Sequence, residues 1–71
     1  MLKSNYRITL AGGSFVDGTE VFETEEERIV HKLKNLKQGD LLTINYESGL
    51  QMFIPAWQIL SIETTPVVEV G

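Results

Sequence analysis

The sequence predicts an α+β domain: a small, strongly bent antiparallel sheet or barrel of about five strands with one helix, in the order β-β-α-β-β-β. Three observations carry this reading. Apolar and polar residues alternate over 6–10, 42–46 and 50–54, the period of strands that bury one face. A single segment, 25–37, repeats its apolar residues at helical spacing instead. Turn-forming residues separate the runs, so that neighbouring strands fold back on one another.

Taken in order, Tyr6, Ile8 and Leu10 belong to the buried face of the first strand. Gly12-Gly13 interrupts the pattern as a turn or bulge, and Ser14-Phe15-Val16 resumes it. Asp17-Gly18 reads as a two-residue turn, because both positions tolerate positive φ. Thr19–Phe22 is then a short strand or an extended approach to the helix. Thr24-Glu25-Glu26-Glu27 matches a capping box, with Thr24 as cap and Glu27 reaching back to its amide. Ile29, Val30, Leu33 and Leu36 form the apolar stripe, and three glutamates at the start with Lys34 and Lys37 toward the end suit the helix dipole. Gly39 is placed to stop the helix in the left-handed conformation.

Beyond the helix, Leu42, Ile44 and Tyr46 face Leu50, Met52 and Ile54 across a Glu47-Ser48-Gly49 turn, a hairpin. Pro55 has no amide hydrogen and ends the second strand of that hairpin, and 55–57 make one short turn. Ile59–Glu63 is the last core strand, broken by Thr64-Thr65-Pro66. The domain thus spans 1–66. Residues 67–71, with the β-prone Val67-Val68-Glu69-Val70, are a C-terminal tail or an edge strand.

A chain of 71 residues makes one domain, and with no cysteine it has no disulfide to staple it. Small domains without staples need a dense core or a partner chain. The net charge of −4 argues against a general nucleic-acid binder, which needs a basic footprint for phosphates. The N-terminus has no apolar run of the secretory type, and no apolar stretch is long enough to span a bilayer, so a cytoplasmic location and no membrane partner are expected.

Residues 50–63, Leu-Gln-Met-Phe-Ile-Pro-Ala-Trp-Gln-Ile-Leu-Ser-Ile-Glu, pass from a strand through a one-turn break to a short closing strand. With the preceding strand, residues 41–63 resemble the end of SH3-like and Sm-like small β-barrels, and also small proteins of Gram-positive bacteria and their phages. The resemblance implies a rolled sheet. The Sm-like RNA chaperones of bacteria carry a Tyr-Lys-His-Ala type motif near this place, whereas Phe53-Ile54-Pro55-Ala56-Trp57 has neither the lysine nor the histidine.

No residue set has the spacing of a catalytic site, so no enzyme, no metal and no cofactor is expected. His31, the only histidine, reads as a helix-boundary residue four positions after Glu27, with which it would pair. Gly12-Gly13-Ser14 precedes a strand-like run rather than the helix N-terminus that a phosphate loop requires. Glu25, Glu26 and Glu27 are consecutive on a helix and point in different directions, unlike the ligands of a calcium loop.

Surfaces are more informative. Apolar residues exceed what one face of such a sheet can bury, which points to an interface. Trp57, Phe53, Phe22, Val67, Val68 and Val70 are the expected partner-binding residues, Trp57 as the type of anchor enriched in interfaces. Asp17, Glu20, Glu23 and Glu26 form an expected acidic edge. Arg7, Lys32, Lys34 and Lys37 could line up as a basic strip for single-stranded nucleic acid, with Tyr46, Phe53 or Trp57 stacking on bases. The leading expectation is a non-enzymatic module that binds proteins, including a second copy of itself, as a small accessory or regulatory factor. The alternative is an Sm-like or SH3-like nucleic-acid binder.

Overall fold

In the computed structural model, which describes all 71 residues, one strand organises the rest. Strand β1 (Leu2–Leu10) pairs along its length with β2 (Phe15–Phe22), in a register that sets Ile8 opposite Val16 and Leu2 opposite Phe22. Its other edge is shared. Strand β5 (Ile59–Thr64) takes residues 6–10, and β6 (Val68–Glu69) takes Leu2 and Lys3. Strands β3 (Leu41–Asn45) and β4 (Gln51–Pro55) form a separate antiparallel hairpin. All pairings are antiparallel, and no ladder joins the hairpin to the larger sheet. Helix α1 (Ile29–Lys34) follows a 3-10 turn at Glu25–Glu27, and a second 3-10 turn, Ala56–Gln58, links β4 to β5.

The alternation read from the sequence places the core. Tyr6 and Ile8 from β1, Ile29 from α1, Leu42 and Ile44 from β3 and Ile54 from β4 form one buried cluster between the two sheets. Leu33, Leu36, Met52, Ile59 and Ile62 pack around it half-buried. Only 8 of the 71 residues are fully buried, so the interior is thin even for a domain of this size.

The Asp17-Gly18 turn does not form. The chain has already reversed at Gly12 and Gly13, both at positive φ (94° and 93°), and the Leu10 amide bonds the Ser14 carbonyl at 2.8 Å to close the hairpin. Strand β2 runs straight through residues 17 and 18. Gly18 is needed for another reason: a methyl group there would fall on the ring of Tyr6, at its Oη, Cζ and Cε2 atoms. Gly18→Ala is therefore expected to cost about 1–3 kcal/mol, because the buried Tyr6 ring must be displaced. Gly39→Ala, with no atom near its Cβ position, is expected to stay within about 0.5 kcal/mol of the parent. Urea denaturation of both variants checks the contrast.

The helix is shorter than its apolar stripe implies. Arg28 is extended (φ −70°, ψ 147°) and splits residues 25–34 into the 3-10 turn and α1. The capping box is also displaced. Thr24 makes no side-chain cap, and the Glu27 carboxylate accepts the amide of Glu23 at 3.0 Å rather than that of Thr24. At the far end Gly39 does not stop the helix. Asn35 does, its side-chain amide donating to the His31 carbonyl at 3.0 Å, and Gly39 has no positive φ. The hairpin turn and the short turn after Pro55 fall where the sequence placed them, with Gly49 at φ 88°, and the break comes one residue later than expected, because Thr64 still pairs with Tyr6 as the end of β5. No helix of the chain is long and apolar enough to cross a membrane.

Candidate interaction surface

The folded chain dismantles the expected acidic edge. Asp17 faces outward from β2 but is clamped by Arg7, with Nε to Oδ1 at 2.7 Å and Nη2 to Oδ2 at 3.1 Å. That bidentate contact holds the Asp17 carboxyl below its usual range, so it stays charged and paired. Glu20 points the opposite way, inward. Its Oε1 accepts the Ile29 amide at 2.8 Å and its Oε2 lies 3.4 Å from Arg28 Nε. It caps α1 across space from a neighbouring strand and has no charge to offer a partner. The reason is pleat parity: position 20 shares a face with Phe22 and Val16, not with Asp17. Glu23 and Glu26 do remain exposed.

The basic strip is not assembled as a free surface either. Arg7 is engaged by Asp17 and stacks over the Phe15 ring at 4.1 Å, whereas Lys32, Lys34 and Lys37 lie on or just after α1. Lys32 borders a cleft between β2 and β3 whose other charged residues, Glu20, Glu27 and Glu47, are acidic. His31 is exposed and makes no ion pair with Glu27, whose carboxylate is turned to Glu23. The largest hollow, about 640 Å³, lies over β1, β2 and β5 and is lined by Asn5, Arg7, Asp17, Thr19 and Glu63 among others. Much of its polar lining is paired internally, by the Arg7–Asp17 clamp and by the Thr19 hydroxyl donating to Asn5 at 2.9 Å.

The apolar residues divide differently. Phe22 is 1% exposed and cannot anchor a partner. It is the last inward position of β2, and the Arg28 guanidinium lies 4.9 Å from its ring centre. Trp57 and Phe53 are exposed, at 66% and 55%. Val67, Val68 and Val70 are exposed as well, although the backbone is tied to β1: Val68 pairs with Lys3, and the Val70 amide donates to Met1. The tail is thus an edge strand at Val68–Glu69. Phe53 shares the outer face of the hairpin with Leu41, diagonally across from it in the register.

A second apolar region was not foreseen from the sequence. Leu33 and Leu36 after the helix midpoint, Ala56 from the 3-10 turn and Ile59, Leu60 and Ile62 from β5 line a groove of about 290 Å³, in which six of seven residues are hydrophobic. Its strand residues all come from β5, which has a neighbouring strand on one side only. Leu60, 66% exposed, stands at its margin. The signal was present as a doubled apolar pair, because adjacent residues of a strand point to opposite faces. Phe15-Val16, Val21-Phe22, Leu41-Leu42 and Phe53-Ile54 each had to leave one member outside, and each does, whereas Leu60 sits at a β-bulge, where Leu10 pairs with Ile59 and Thr9 with Ser61.

Eleven large apolar residues are exposed in all, and the accessible surface is 5030 Å². A folded monomer of 8.0 kDa has about 4,450 Å² by the usual size scaling. The chain shows about 600 Å² more than that, in keeping with its elongated shape of 37 × 24 × 21 Å. No protein-family profile, curated protein or solved structure matches the chain.

Proposed function

We propose that this chain is a non-enzymatic protein-interaction module that associates with itself, a small accessory or regulatory factor built on a rolled sheet of SH3-like character. The observation that carries the reading is the mismatch between a core of seven fully buried apolar residues and a surface that exposes eleven large ones. Exposed apolar residues that share a face mark an interface, as Phe53 and Leu41 do on the outside of the hairpin. Burying them against a second copy supplies the hydrophobic area that a 71-residue chain without staples lacks on its own.

Sedimentation equilibrium at micromolar concentration is expected to return a mass of at least twice 8.0 kDa, with dissociation on dilution. A monomer that persists across the micromolar range, with an unchanged melting temperature at every concentration, overturns the reading. Mass action makes the stability of a real oligomer depend on concentration.

A further inference from the structure

We propose that the cleft between the open edges of β2 and β3 binds a primary ammonium group, held by the hydroxyls of Tyr6 and Tyr46 and the carboxylate of Glu47. The group would come from a small alkylamine or from a lysine side chain. This site is separate from the self-association proposed above and does not depend on it. It is built around Gly18. Tyr6 pairs with Gly18 across the β1–β2 ladder, and its ring lies where a Cβ of residue 18 would stand. Strand β2 has no neighbour on its other side, so the tip of the ring comes out at the open edge. There it lines a hollow of about 420 Å³ with Gly18, Val21, Asn45, Tyr46 and Glu47 among its other walls.

The Tyr6 hydroxyl is the observation that points to a ligand. Tyr6 is 6% exposed, yet its hydroxyl has no hydrogen-bond partner in the chain. No fully buried side-chain polar atom lacks a partner, so this oxygen opens onto the hollow and not into the core. Other enclosed polar side chains are bonded: Ser4 donates to the Thr65 carbonyl, and Glu20 accepts the Ile29 amide. A phenol this enclosed normally has a partner for its polar tip. Burial first, then Tyr46 and Glu20, raise the Tyr6 pKa, so the hydroxyl stays protonated, and the influence of Tyr46 makes the two phenols neighbours.

The walls select a cation. Glu47 is the only charged residue of the hollow, and no cation offsets it there. Further along the cleft Arg28 neutralises Glu20, and Lys32 stands against Glu27. The side-chain oxygen of Asn45 is already taken by Gln51. Two phenol oxygens and one carboxylate remain as acceptors, and an alkylammonium brings three donors and no acceptor. An anion would face Glu47 uncompensated, and a calcium ion needs more oxygen ligands than this wall supplies. Val21, exposed at 52%, offers apolar surface to the alkyl stem.

Titration with n-butylammonium chloride at constant ionic strength, followed by amide shifts, tests the site. Saturable shifts centred on Gly18, Tyr46 and Glu47 are expected, with a millimolar dissociation constant, and n-butanol at the same concentrations produces none. Tyr6→Phe removes the hydroxyl and keeps the ring, and Glu47→Gln removes the charge. Each is expected to raise the dissociation constant roughly 10-fold, whereas Glu23→Gln, outside the cleft, changes it less than roughly 2-fold. Far-ultraviolet circular dichroism confirms that all three variants are folded. Nα-acetyllysine methylamide separates the two sources: tighter binding than n-butylammonium assigns the site to a lysine side chain, and equal or weaker binding to a free amine. The proposal is overturned by the absence of saturable shifts up to roughly 50 mM, or by equal shifts with n-butanol. A Tyr6→Phe variant that binds as the parent does also overturns it, since attraction to Glu47 alone would then explain the shifts.

Discussion

Glu20→Ala is expected to destabilise the fold by about 2–4 kcal/mol, more than any other substitution of a charged residue in the chain. The carboxylate performs two tasks at once. It accepts the Ile29 amide at 2.8 Å, one of the donors that a helix start leaves without an internal partner. It also neutralises Arg28, whose side chain is only 14% exposed and which has Glu25 as its other ionic partner, at 3.6 Å. Alanine removes both contacts and leaves a mostly buried guanidinium with a weaker, exposed counter-charge. Glu20→Gln keeps an oxygen for the Ile29 amide but loses the charge, and is expected to fall between the parent and alanine. Urea denaturation followed by circular dichroism measures the series. A loss below about 0.5 kcal/mol for the alanine variant would show that the cap contributes nothing. For a chain of 71 residues, whose total stability is of order 4–10 kcal/mol, the expected loss is a large fraction.

Ile8→Ala is expected to cost about 2–5 kcal/mol and to leave much of the population unfolded at 37 °C. Ile8 is 0% exposed and sits where the ladders converge, opposite Val16 on β2 and opposite Ile62 on β5. No other strand is paired along both edges as β1 is, so a cavity at this point loosens both halves of the larger sheet. Ile8→Val removes one methylene and is expected to cost about 0.5–1.5 kcal/mol. Because association stabilises the folded chain by mass action, the two variants are compared with the parent at one fixed protein concentration. Equal midpoints for Ile8→Ala and Ile8→Val would show that the core does not hold together through β1.

The period-two runs located β1, β3 and β4, and the helical stripe located α1, because both signals depend only on which neighbouring residues share a face. The misread residues have two causes. Asp17-Gly18 has the composition of a turn, yet its glycine answers to the Tyr6 ring on the adjacent strand. Thr24 and Glu27 have the spacing of a capping box, yet the cap of α1 comes from Glu20, nine residues before the amide it accepts and on a different element. Gly39 has the position of a helix stop, yet Asn35 has already bonded the last turn. In the first two cases a contact local in sequence competed with one made across space, and the second won, whereas at Asn35 an earlier local bond ended the helix.

The interaction surface divides along the same line. Each doubled apolar pair in a strand guaranteed, from the amino acids alone, that one large hydrophobic residue would face outward, and so the sequence by itself determined that the chain carries more apolar surface than one sheet can cover. Alternation already placed Leu42 and Ile54 inward, but in β2, whose apolar residues fall on both faces, the choice was settled only by tertiary structure: Phe22 went in and Val21 out. Pleat parity is a relative quantity, and where apolar residues stand on both faces of a strand nothing within it states which face is the inner one. That choice is made when two sheets and a helix close on a common core. The same closure gave Glu20 to the helix and left β5 with one bare edge.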